Sequence, residues 1–192
     1  MANQLPRLTV SVSLPGQQRR VKELILYIAK RCVGARYFGA IKLNKIIWKA
    51  DFSSFAARRI PITGREYRRR VFGPALFEML PIHREMLASG LIETQRRIYA
   101  DGITEVRTIP LVEPELSFFT KEDLAFVESA IQYYWDKTGT EASDDSHGVA
   151  WSTRSDGDVM PYELAFLSDD PLDLPHLMHI EKLIYERGWT SQ

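Results

Sequence analysis

Apolar residues recur at three- and four-residue intervals from Gln18 onward: Val21, Leu24, Ile25, Ile28, Ala29 and Cys32, with Lys30-Arg31 and then Gly34 behind them. That spacing collects them on one face of a helix, and a basic pair followed by glycine is a common way for a helix to stop. The same period returns over residues 41–59, where Leu43, Ile46, Ile47, Ala50 and Phe55 share a face and Pro61 lies beyond the end. Residues 75–89 repeat it through Leu76, Met79, Leu80, His83, Met86 and Leu87, although Pro81 is expected to kink or split that helix. Thr120, with Asp123 three residues on, opens a further helix whose stripe is Leu124, Val127, Ile131 and Tyr134-Trp135. A shorter helix is predicted from Thr140, carrying Asp144, Asp145 and His147, and a last one over residues 175–188.

Between these stretches the period changes. Residues 66–72 read as extended chain ending in the turn Gly73-Pro74, and Gly90 closes the helix before it. Leu91-Ile92-Glu93 resumes as a strand, and Ile98-Tyr99-Ala100 pairs with residues 103–106 across Asp101-Gly102, a hairpin turn signal. Helix, glycine, strand and hairpin in that order resemble the wing half of a winged helix. Pro110 and Pro114 mark a connection, residues 161–166 read as either strand or helical turn, and residues 171–175 as a loop. Residues 1–17 are expected to be a tail, with Leu8, Val10 and Val12 alternating as in a short edge strand. The fold class predicted is mainly α (α+β): a single-domain helical bundle over residues 18–188 with a small antiparallel β-hairpin, or wing.

Composition narrows the setting. The chain has 192 residues, 45% of them hydrophobic, enough for a sizeable core in one domain. No window approaches the roughly 18 consecutive apolar residues a membrane span needs, and the first residues carry no basic segment followed by an apolar run. With the lone Cys32 on a buried helix face, a cytoplasmic protein is expected. Net charge is zero but divided: residues 1–100 hold 19 Lys+Arg against 6 Asp+Glu, and the other 92 residues hold 6 against 19. Either the halves cancel inside one globule or each offers a charged face to a partner.

Candidate chemistry is sparse. Phosphate-binding glycine loops and the G-x-S-x-G elbow are missing from the sequence, and one cysteine cannot form a thiolate zinc cluster. No enzyme, metal or cofactor is expected. The most metal-like pair, His176 with His179, lacks the H-E-x-x-H context. His147 with Asp144, Asp145 and Asp51 could tune an acid/base group, or form a structural hydrogen-bonding cluster. Asp51 falls on the apolar face of its helix, where a carboxylate must find donors, so a neighbouring backbone or tyrosine is expected to anchor it. The run Arg65, Arg68, Arg69 and Arg70 with Tyr67 and Phe72 is a candidate basic contact patch for nucleic acid, but the neutral whole, with pI about 6.9, counts against that partner.

One ordered set of motifs goes further. Residues 41–52 (IKLNKIIWKADF), then 61–67 (PITGREY) and Val71-Phe72-Gly73-Pro74, resemble the first half of the Panacea domain, the SocA-like antitoxin family. Residues 145–151 (DSHGVAW), followed by Pro161-Tyr162-Glu163-Leu164-Ala165, are similar to its later Ser-His and Trp element. The likeness runs from about Val21 to Leu167 and implies that residues 18–188 are a Panacea-like antitoxin domain. It implies the antitoxin half of a bacterial or phage toxin–antitoxin pair, which neutralises its cognate protein toxin by direct contact. As an alternative it implies a proteolytic adaptor delivering the toxin to a ClpXP-type protease, as a founding member does. The positions it carries over are Lys42, Leu43, Lys45, Asp51, Tyr67, Gly73, Pro74, His147 and Trp151.

Overall fold

A computed structural model describes residues 8–167. Among these residues the chain is mainly helical, with six α-helices and two two-stranded antiparallel sheets, as the apolar periodicity predicts. Helix α1, Gln17–Arg31, buries Val21, Leu24, Ile25, Leu26, Ile28 and Ala29. Helix α2, Ala40–Arg58, is the centre of the fold: it packs on α1, on α4 (Lys121–Tyr134), on α5 (Gly139–Asp144) and on a 3₁₀ turn at Tyr162–Phe166. Because neighbours surround it, α2 buries polar Lys42, Lys45, Asp51 and Ser54 along with Leu43, Ile46, Ile47, Ala50, Phe52 and Phe55. Helix α4 begins with the expected capping box, in which Thr120 and Asp123 bond each other's backbone N–H.

Several expectations are corrected. Ala75–Leu76 is not helical but forms strand β2, paired with β1 (Tyr67–Arg68), and helix α3 spans only Met79–Ala88. Pro81 therefore falls in the first turn of α3, where its missing N–H would have no intrahelical partner, and no kink is needed. The hairpin is longer than its turn signal suggests: β3 (Ile92–Ile98) pairs with β4 (Thr104–Pro110) over seven residues, so Pro110 ends a strand. Asp145 caps α5, and His147 lies past that helix, just before the single-turn α6 (Val149–Ser152). Residues 161–166 resolve as the 3₁₀ turn. Residues 9–14 form no strand, yet they are tied down: Val12 N–H donates to Gly64 O at 2.8 Å and Tyr162 N–H to Thr9 O at 2.8 Å. The loop and helix expected over residues 171–188, with His176 and His179, lie outside the described residues.

Part of the divided charge is paired across the fold. Arg20 and Arg58 both grip Asp123, at 2.8 and 2.5 Å, which binds α1 and α2 to the start of α4. Arg19 pairs with Glu115, Lys30 with Glu113 and Arg31 with Glu128. Burial pushes the pKa of Asp123 up, but the Arg58 hydrogen bond, the Thr120 backbone and both guanidinium charges outweigh it and hold the carboxyl below its usual range.

Candidate functional site

Helix α2 aligns three buried polar stations. Lys42 Nζ reaches Arg36 O at 2.8 Å and Trp135 O at 2.6 Å, so its charge sits against the carbonyl end of α4. One turn on, Lys45 Nζ donates to Pro74 O at 2.8 Å. Burial pulls both amines down, Lys42 to about 8 and Lys45 to about 7. Two turns further, Asp51 accepts from Ile62 N–H at 2.6 Å, Thr63 N–H at 2.7 Å, Tyr67 Oη at 2.6 Å and the Thr63 hydroxyl. This is the backbone-and-tyrosine anchor that its place on an apolar face predicts. Burial raises its pKa, and the hydrogen bonds from Thr63, Tyr67 and Ile62 act in the opposite direction. Leu43, between the two lysines, is plain core.

The middle station gathers residues distant in sequence. Gly73 takes φ +88°, and a Cβ there would overlap Ser146 Oγ and Lys45 Nζ, so both press against the turn of residues 70–74. Trp151 Nε1 donates to Arg70 O at 2.8 Å, and Gly73 N–H donates to the same carbonyl at 2.9 Å. The indole ring stacks on His147, with centroids 3.8 Å apart and planes 17° from parallel, and carries the Arg69 guanidinium at 3.9 Å. Burial and then the positive charge of Lys45 lower the His147 pKa. Lys45, Gly73, Pro74, His147 and Trp151 thus form one buttress under one turn, and Asp51 with Tyr67 forms a second 1 to 2 helical turns away along α2.

The acid/base group is not assembled. Asp51 spends both oxygens on donors from Ile62 to Tyr67, and Asp145 faces Tyr134 (2.8 Å), Lys137 (3.1 Å) and Tyr133. Asp144 alone approaches His147, at 4.0 Å. Among the described residues, no three His, Cys, Asp or Glu side chains converge in a metal-binding group. In the arginine run, Arg65 pairs with Glu78 and Arg68 with Glu66, while Arg69 and Arg70 share Asp156 at 3.8 Å. Sequence reasoning missed Ser146 as a buttress contact and Arg69 as a partner of Trp151; the nearest clue was that Ser146 adjoins His147 in the motif.

The geometry now bears on kinship. The family model described as antitoxin SocA-like, Panacea domain, matches residues 43–152, more than half of the chain. The chain belongs to this family. No curated protein and no solved structure matches it. The matched stretch of the Panacea domain holds eight of the nine motif positions, with Lys42 one residue before it, and brings both buttresses within one span. In this Panacea domain the motif residues are largely internal: Lys42, Lys45, Asp51 and Tyr67 are each no more than 1% exposed. Among the described residues no helix is long and apolar enough to cross a membrane.

Proposed function

We propose that this protein is an antitoxin that acts in the cytoplasm by holding a cognate protein toxin in direct contact. The observation that carries the reading is the pairing of family membership with a motif whose residues brace a surface turn. Side chains that hydrogen-bond backbone carbonyls from inside a core make a rigid support, which lowers the ordering cost of binding. The adaptor reading draws its support from two oppositely charged faces, and the ion pairs that join the halves weaken that support. Nucleic-acid binding through Arg65, Arg68, Arg69 and Arg70 also loses support, since Arg65 pairs with Glu78 and Arg68 with Glu66, which leaves only Arg69 and Arg70, sharing Asp156, to meet phosphates. Co-expression with the product of the adjacent gene tests the proposal. Relief of that product's toxicity together with a co-purifying complex is expected; toxicity unchanged and no complex would sink it.

A further inference from the structure

The buttress under residues 70–74 leaves an exposed apolar tip. Val71 is 64% exposed and Phe72 62%, which is unusual for two consecutive large apolar residues at a turn held this firmly. Phe77 and Leu80, at 52% and 68%, extend the apolar surface along the chain. The turn itself is fixed from below by Lys45 on Pro74 O, by Trp151 on Arg70 O and by the close approach of Ser146 to Gly73. Its flank is fixed by β1 and the residue after it, where Tyr67 O and Arg69 O accept from Met160 N–H and Gly157 N–H at 2.9 Å each. An apolar knob on a rigid base is suited to filling a pocket in another protein, because little ordering entropy is lost when it docks. Beside the knob lies a cavity of about 170 Å³ whose wall includes Ala40, Ile41, Asn44, Arg70, Phe72 and Ala75.

Charge selects the partner. Among the described residues, Arg69 and Arg70 share a single carboxylate, Asp156, at 3.8 Å from each, and Arg69 Nε is buried without a hydrogen-bond partner. The base of the knob is therefore net positive, and the complementary surface is acidic.

We infer that the turn carrying Arg70, Val71 and Phe72 is the toxin-binding knob, and that it seats in an apolar pocket of the toxin rimmed by Asp or Glu. The inference rests on the antitoxin reading above. Its test uses the full chain and the adjacent gene's product, measured by calorimetry and by rescue of growth, with Phe72→Ala, Val71→Ser, Arg70→Glu and Ile98→Ser compared. Ile98 is 69% exposed at the far end of β3 and serves as the remote control. Loss of affinity by about tenfold or more in Phe72→Ala, with slower association in Arg70→Glu and little change in Ile98→Ser, is expected. All four side chains are at least half outside the core, so thermal melts should match the unsubstituted chain; should Phe72→Ala melt early, Arg70→Glu supplies the deciding measurement. A complex formed equally well by all the knob variants, or lost in Ile98→Ser instead, overturns the knob while leaving the antitoxin reading intact. No complex with the unsubstituted chain overturns both.

Discussion

Lys45 Nζ lies 2.8 Å from Pro74 O, and this is its one hydrogen bond among the described residues. An ammonium carries three donors, so a buried site with a single acceptor suits the neutral amine better, in line with a pKa drawn down by burial to about 7. A lysine in the unfolded chain titrates near ~10.4. Between pH 7 and 9 the unfolded chain therefore holds a proton that the folded chain has released, and stability rises with pH. Lys42, drawn down to about 8, adds in the same direction at the upper end of that window. Above it Cys32, pushed up by burial to about 12, opposes the trend, because the unfolded thiol ionises first. The unfolding free energy obtained from urea titration should climb from pH 7 to pH 9, by an amount on the order of 2 kcal/mol. In Lys45→Met the climb should shrink markedly; an unchanged climb would assign it to other groups.

Gly73 and Gly102 have nearly the same backbone angle, φ +88° and +82°, but different surroundings. A Cβ at Gly102 meets nothing within 4 Å, whereas one at Gly73 overlaps Ser146 Oγ and Lys45 Nζ. Gly102→Ala should cost the left-handed penalty alone, about 1 to 2 kcal/mol. Gly73→Ala should cost that plus a further amount of about 1 to 3 kcal/mol for overpacking a buried site. Chemical unfolding of the two variants side by side measures the difference, and equal losses would mean that the turn of residues 70–74 gives way easily.

The helices were legible because their apolar faces are local patterns: α1, α2 and α4 announce themselves through three- and four-residue spacing, and Thr120 with Asp123 marks where α4 begins. Asp51 was legible for a related reason, since a carboxylate on an apolar face has to be satisfied nearby. What escaped depends on partners far along the chain. Ala75–Leu76 continues a helical pattern, yet it pairs with Tyr67–Arg68 across the turn that Lys45 and Trp151 hold. Strand β4 inverts its apparent sides: Glu105 and Arg107 are 5% and 1% exposed, while Val106 is 51% exposed. Alternation alone assigns the charged side to solvent, and nothing in the strand reveals the carbonyls awaiting Arg107 at the end of α1.

Asp51 joins α2 to the segment from Ile62 to Tyr67 through four donors. Asp51→Ala strands all four in a dry site and should cost about 3 to 5 kcal/mol, the range for breaking a buried charged network. Asp51→Asn keeps the shape and one carbonyl, but turns an NH2 toward groups that were donating, so it should recover only part of the loss. Tyr67→Phe removes one donor and leaves the others satisfied, and about 1 kcal/mol is expected. The order Ala, Asn, Phe in thermal or urea unfolding checks the scheme; an Asn variant as stable as the parent would show that the carboxylate charge contributes little.

Arg107 closes the C-terminal end of α1 from inside the fold. Its guanidinium reaches Glu105 Oε1 at 2.9 Å, Val33 O at 2.6 Å and Ala35 O, with Cys32 O at 3.4 Å. Cations stabilise helix carbonyl ends, and a planar fork can serve several acceptors at once where an ammonium serves them from a single point. Arg107→Met should therefore be among the most damaging single changes, about 3 to 5 kcal/mol, because Glu105 is left charged, buried and unpaired. Arg107→Lys should remain clearly destabilising despite keeping the charge. Among the described residues Glu105 Oε2 is buried without a hydrogen-bond partner, so Glu105→Gln with Arg107→Met should be less unstable than Arg107→Met alone. Urea unfolding of the two single variants and the double variant closes the cycle. If their losses simply add, Glu105 and Arg107 are uncoupled, and the carbonyls at the end of α1 account for the whole role of Arg107.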